Sequence, residues 1–196
     1  MLRYIFIIAF LALLSGCATR PTPPSQGSWQ KVNQQLANIK SWQMNGQIAF
    51  ITPKVRRRAD LFWQHRQSSD QLILTGPFGQ QLLTATITAQ GATIVADDKT
   101  YRGPDSSQLI YQLTGWQLPI NRLPTWLIGQ VNGSKYQLNA QNRLAKITSD
   151  DGWILSYQAY MQVGHYVLPQ KLNATSADTR LKLIIDNWKV NPDTHD

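Results

Sequence analysis

The sequence predicts a mainly β domain: a curled antiparallel sheet of about eleven short strands, with three short helices to cover it. Three observations carry that expectation. Apolar and polar residues alternate with period two through much of the chain, most cleanly where Leu83, Ala85, Ile87 and Ala89 interleave with Thr84, Thr86 and Thr88. That is the pattern of a half-buried antiparallel strand. The links between such runs are short and built from turn residues, as in Gln90-Gly91, Asp97-Asp98, Gln141-Asn142, Asp150-Asp151-Gly152 and Ala177-Asp178, which is hairpin chemistry. Helical spacing appears in only three short stretches, well placed to hide the apolar face that such a sheet leaves open.

Ser28 is placed to cap a first helix running to Lys40, with Trp29, Val32, Leu36 and Ile39 at helical spacing. In residues 43–51, Met44, Ile48 and Phe50 share one strand face, with Gly46 between them. Strand patterns follow at 58–65, 71–75, 82–89 and 92–96. The pattern then changes. Asp105 caps a short helix through Thr114 that stops at Gly115, and Leu109, Ile110 and Leu113 give it an apolar stripe. Pro124 opens another, carrying Trp126, Leu127 and Ile128 and ending at Gly129. Strands return at 136–140, 143–149, 153–160, 168–175 and 180–190. Around Ile154, Ile184 and Trp188 the strands read as apolar on both faces, which a half-buried sheet does not explain. No internal repeat is present. A curled sheet under helices either leaves an apolar cavity or closes on a filled core, and the alternation is the same for both.

The N-terminal segment is an address rather than part of the fold. Arg3 supplies a positive charge, residues 4–14 are an unbroken apolar run, and Leu14-Ser15-Gly16-Cys17 completes a bacterial lipobox. The run is too short for a helix across a bilayer, which needs about 20 residues, and it suits a signal peptide. Residues 1–16 are therefore expected to be removed and Cys17 to be acylated, with palmitate among its chains. Ala18, rather than Asp, after the cysteine fits sorting to the outer membrane of a Gram-negative cell, with the domain facing the periplasm. Residues 17–27 carry Pro21, Pro23 and Pro24 and form a tether with a reach of roughly 30 Å. One domain follows, residues 28–190, with a polar tail at 191–196. Cys17 is the only cysteine, so the domain body holds neither a disulfide nor thiol chemistry.

The chain carries 19 Lys and Arg against 11 Asp and Glu, a net charge of +8, and of the cations only Arg3 lies in the leader. In a periplasmic lipoprotein this excess points to anionic lipid or an acidic protein face, not to nucleic acid. Arg56-Arg57-Arg58 concentrates part of it; a solvated strand end or hairpin is the plain alternative. Catalytic signals are missing. His65, His165 and His195 are far apart in sequence without acidic neighbours at ligand spacing. Neither a nucleophile elbow nor a phosphate or dinucleotide loop is present. Asp97-Asp98 and Asp150-Asp151 read as turn residues. The sequence thus indicates no enzyme, cofactor or metal. Its distinctive material is aromatic: 7 Trp, suited either to core packing or to a wide apolar lining. The turn Gly76-Pro77-Phe78-Gly79 adds an aromatic residue where a hairpin tip faces water.

Six stretches, in this order behind a lipobox, resemble the LolB family of outer-membrane lipoprotein receptors over essentially the whole mature length. They are Leu61-Phe62-Trp63-Gln64, Leu74-Thr75-Gly76-Pro77-Phe78-Gly79, Leu113-Thr114-Gly115, Trp126-Leu127-Ile128-Gly129, Tyr136-Gln137-Leu138 and Asp186-Asn187-Trp188. The resemblance implies an incomplete half-barrel with helices as a lid over an apolar cavity. It implies a monomeric receptor that takes the acyl chains of client lipoproteins from the periplasmic carrier LolA and inserts them into the inner leaflet of the outer membrane, with no cofactor. It also implies a membrane-insertion loop, which falls on Gly76, Pro77, Phe78 and Gly79; this chain departs from the leucine of other members by being aromatic at the tip. The one-face apolar positions Met44, Ile48, Phe50, Leu83, Ile87, Trp126, Leu181 and Leu183 are the candidate acyl-chain lining. Outside that family, the same features suit a lipid-anchored module for fatty acid or phospholipid, or a structural lipoprotein with a filled core. An esterase would need a Ser-His pair brought together in space.

Overall fold

The computed structural model describes residues 26–115 and 117–191. The signal peptide (1–16), Cys17 and the tether up to residue 25 lie outside the described residues, as do Trp116 and residues 192–196. Helix α1 (Gln26–Leu36) leads into β1 (Trp42–Ile51), β2 (Arg56–Arg66), β3 (Ser69–Thr75), β4 (Gln81–Thr88), β5 (Gly91–Ala96) and β6 (Lys99–Gly103). Helices α2 (Ser106–Thr114) and α3 (Leu123–Leu127) interrupt the strands. β7 (Lys135–Leu138), β8 (Leu144–Thr148), β9 (Ile154–Val163), β10 (Tyr166–Ser176) and β11 (Thr179–Val190) complete the chain. All eleven strands form one sheet in the order β6-β5-β4-β3-β2-β1-β11-β10-β9-β8-β7. Two meanders therefore meet at the β1–β11 seam, where the two ends of the domain pair along Trp42–Ile51.

The first helix differs from the expectation at both ends. It begins at Gln26, so Ser28 lies inside it rather than capping it, and the Ser28 hydroxyl accepts instead from the Asn142 side chain. It stops at Leu36, four residues before Lys40, because the chain must turn there into β1. Asn191, just past β11, fixes that turn by accepting from the backbone of Lys40 at 3.2 Å and of Ser41 at 3.4 Å. The second helix follows its signals: the Asp105 carboxylate accepts from Gln108 N at 3.0 Å, and Gly115 at φ 73 ends it. Strand β6 was not legible, because Lys99-Thr100-Tyr101-Arg102 has no apolar alternation at this sheet edge.

The strands that read as apolar on both faces have two explanations. Ile154 and Ile184 point outward and stay partly exposed. Trp188 turns inward because the β1–β11 register shifts between Asn45 and Gly46. This bulge changes the parity of β11, so Leu181, Leu183, Ile185 and then Trp188 all face the core. It needs glycine at position 46, where a Cβ would sit 2.2 Å from the Ile184 carbonyl oxygen.

Candidate functional site

The inner face of the sheet is divided. Toward one end, three tryptophans fill it: the Trp42 ring lies 5.8 Å from Trp63 and 5.2 Å from Trp188. Their polar edges are satisfied, with Trp188 Nε1 donating to the Pro169 carbonyl at 2.9 Å and Trp63 Nε1 to Asp70 at 2.7 Å. Asp70 also meets His65 Nδ1 at 2.8 Å. The sequence spacing gave that histidine no acidic neighbour; the β2–β3 hairpin supplies one across the ladder, at the pair His65–Asp70. The half of the sheet formed by β8–β10 is filled as well. There Leu155, Leu168 and Leu172 are fully buried, and the Tyr157 hydroxyl donates to the Trp126 carbonyl at 2.8 Å. Burial pushes the Tyr157 hydroxyl well above the ordinary tyrosine pKa. Tyr160 is raised by the same cause, against the opposing charge of Arg143 beside its ring.

The remaining part is hollow. Between the inner face of β1–β5 with β11 and the cover of α2, Leu118, Ile120 and Leu123 lies a cavity of about 650 Å³. That falls within the roughly 300–1,000 Å³ typical of small-ligand sites. Ile48, Phe50, Leu83, Ile87, Leu181 and Leu183 line it, with Ala85 and Trp63 forming part of its floor. Met44 and Trp126 do not. Met44 is paired across the ladders with Trp63 and Trp188 and belongs to the tryptophan-filled end. Trp126 is buried under the β8–β10 half, where the space is already occupied. Ile110, Leu113 and Leu118, from the helical cover, are lining residues that strand periodicity had no means of pointing to.

The mouth of this cavity is chemically different from its interior. Arg56, Arg57, Arg58, Pro77, Gln80 and Asp97 border it. The antiparallel register places the hairpins at 52–55, 76–80, 97–98 and 177–178 at this same end of the sheet. The loop 76–80 is a closed structure. Gly76 N donates to the Gln80 carbonyl at 2.8 Å, and Gly79 N to the Gly76 carbonyl at 3.0 Å. The Gln80 side chain folds back over Gly76 and accepts from Phe78 N at 3.1 Å. Gly79 adopts φ 78, the left-handed conformation the turn requires. The result holds Phe78 out with 94% of its surface exposed, while Leu82 at the foot of the loop is 40% exposed.

Among the described residues, no three His, Cys, Asp or Glu are grouped to hold a metal. Asp97 and Asp98 have positive φ, as turn residues do, and Asp151 pairs with Arg122 at 3.4 Å. The arrangement can take up apolar chains and present them at one opening.

The family described as "Outer membrane lipoprotein LolB" matches residues 40–188 of this chain. An outer-membrane lipoprotein LolB of Tolumonas auensis is 30% identical over 97% of this chain and 98% of its own length. The protein of the same name in Vibrio campbellii is 34% identical over 94% of this chain and 97% of its own. Among solved structures, a LolA-superfamily protein of Nitrosomonas europaea superposes with a TM-score of 0.50 at 13% identity, covering 87% of this chain and 94% of that one. A DUF1329-family protein of Desulfovibrio piger superposes with a TM-score of 0.54 at 6% identity, covering 87% and 95%. These two share the fold.

Proposed function

Because the chain belongs to the LolB family of outer-membrane lipoproteins, we propose that it receives lipoproteins from the carrier LolA and inserts them into the inner leaflet of the outer membrane. One observation supports this most: an apolar cavity of about 650 Å³ opens at the end of the sheet that also carries the exposed Phe78 loop. Acyl chains leave the carrier and enter the cavity against Ile48, Phe50, Leu83, Ile87, Leu181 and Leu183. Each methylene removed from water contributes about 0.8 kcal/mol, and it contributes this wherever it is buried. Transfer without an energy source therefore runs on differences between apolar environments: carrier cavity, receptor cavity, then bilayer. Met44 and Trp126 support the fold around the cavity instead of touching the chains.

Phe78 serves the last step. Its burial in lipid contributes on the order of 1.5–3 kcal/mol, too little to anchor a protein and enough to orient the mouth toward the membrane. Anchoring falls to an acylated Cys17, whose chains bind a membrane far more strongly. The proline-containing tether, with its reach of roughly 30 Å, lets the mouth turn between carrier and bilayer.

The test uses LolA loaded with a fluorescently labelled lipoprotein and the mature chain carrying Cys17→Ala. The label should move onto this protein and, when vesicles are added, into the vesicles. Retention on the carrier, with a fatty-acid probe still entering the cavity, would refute the receptor reading in favour of a binding module for free lipid.

A further inference from the structure

The arginine run is part of a larger unpaired surface. Lys54, Arg56, Arg57 and Arg58 enter β2, and β11 adds Arg180 and Lys182; all six are exposed. Register places them together. Arg56 and Arg180 flank Ile51, and Arg58 and Lys182 flank Ala49, on opposite sides of β1. Two strand spacings separate each pair, about 10 Å at the backbone. Like charges at that spacing repel, and none of the six has a carboxylate partner among the described residues. The two ion pairs among the described residues are His65–Asp70 and Arg122–Asp151. The carboxylates that share this end, Asp60, Asp97, Asp98 and Asp178, make no ion pair with any of the six.

This basic surface adjoins the apolar loop. Arg58, Lys182 and Pro77 border a common hollow of about 350 Å³ on the outer side of the sheet, and Arg56, Arg57 and Arg58 also border the cavity mouth with Pro77. Apolar side chains stand among the charges: Val55 is 37% exposed, Leu82 40%, Ile184 44% and Phe78 94%. Guanidinium groups fit phosphate oxygens in pairs. Cations interleaved with exposed apolar residues fit a surface that offers phosphate above hydrocarbon.

We propose that Lys54, Arg56, Arg57, Arg58, Arg180 and Lys182 form a docking surface for the phosphate headgroups of an anionic bilayer, setting the cavity mouth flat on the membrane while Phe78 enters it. The proposal rests on the cavity being the site of acyl-chain transfer only for its purpose, not for its test. An anionic surface adds about fivefold in affinity for each cation that reaches it, and the gain is screened within about 10 Å at moderate salt.

The mature chain with Cys17→Ala is sedimented with vesicles of phosphatidylcholine and with vesicles of phosphatidylcholine and phosphatidylglycerol in equal parts. The parent should prefer the anionic vesicles, and salt should remove the preference. The triple variant Arg56→Gln/Arg57→Gln/Arg58→Gln should lose on the order of a hundredfold on anionic vesicles and little on neutral ones. A control variant, Lys31→Gln/Arg66→Gln/Lys189→Gln, removes the same charge away from the mouth and should keep most of the preference. Equal losses in the two variants, or none in the first, would overturn the proposal. So would normal vesicle binding by the arginine variant together with slowed uptake from loaded carrier, since the surface would then belong to the carrier. The vesicle assay contains neither carrier nor cargo, so its failure leaves the receptor reading standing, and failure of carrier transfer leaves this result unaffected.

Discussion

Removal of the Phe78 ring should separate membrane engagement from folding. With 94% of its surface exposed, the side chain contributes almost nothing to the core, and the loop is held by backbone bonds and the Gln80 side chain instead. Phe78→Ala should therefore change stability by less than about 0.5 kcal/mol. In lipid the same ring contributes about 1.5–3 kcal/mol, so its loss should weaken partitioning into neutral vesicles on the order of 10- to 100-fold. Phe78→Glu should do more, because the carboxylate must also leave water or stay above the interface. Phe78→Leu should retain most of the parent's binding. The assay is vesicle sedimentation of the unacylated chain at several lipid concentrations, beside thermal unfolding of each variant. Release of labelled lipoprotein from the loaded receptor into vesicles should slow in the same order. Two results would refute the reasoning: partitioning of Phe78→Ala within twofold of the parent, or a loss of binding that follows a loss of stability.

Other consequences concern the frame around the cavity. Gly46→Ala forces a Cβ to 2.2 Å from the Ile184 carbonyl oxygen, so the β1–β11 seam must open locally. A cost of about 1–3 kcal/mol, or a midpoint lowered by about 2–12 °C, should appear in tryptophan-monitored unfolding. Ala85→Phe projects into the cavity and should weaken a fatty-acid probe at least tenfold with little change in stability. Ala174→Phe, in a position buried between Leu155 and Leu181 and not part of that cavity's lining, should instead destabilise by about 1–3 kcal/mol. Equal behaviour of the two would contradict the division of the inner face. Tyr157→Phe removes the donor to the Trp126 carbonyl and should cost about 1 kcal/mol in denaturant titrations. Burial raises the folded-state pKa of Tyr157, whereas the unfolded chain ionises near pH 10. Its stabilising effect is therefore complete below about pH 10 and declines as pH rises further. The variant should show a shallower alkaline loss.

Much of this architecture was legible from single residues. Asp105 and Gly115 bounded their helix because capping is local chemistry. Alternation from Leu83 to Ile87 named the inner face of β4 because side-chain direction in a strand is a property of the strand alone. Phe78 stood out because an aromatic residue occupied a turn. The failures are equally specific. Ser28 looked like a cap, but helix α1 began before it. β6 has no alternation, being held at the sheet edge by pairing with β5. His65 gained Asp70 only through a ladder contact. Met44 followed the same face rule as Ile48 and Phe50 yet lies among tryptophans rather than beside the cavity.

What the sequence determined by itself was local: where strands and turns fall, which side chains share a face, which loop carries an exposed ring, and, through matched stretches along the chain, the family. The tertiary structure decided what each face meets. Period-two alternation is identical whether the space opposite is occupied by Trp42, Trp63 and Trp188 or left open beneath Ile110 and Leu118. Those partners come from distant parts of the chain, brought together by the β1–β11 seam, its bulge at Gly46 and the helical cover. The same long-range register placed Arg56, Arg58, Arg180 and Lys182 on either side of β1, at the end of the sheet that carries the Phe78 loop. A hollow and a charged rim are properties of surfaces assembled from separate segments, so only the folded chain could locate them.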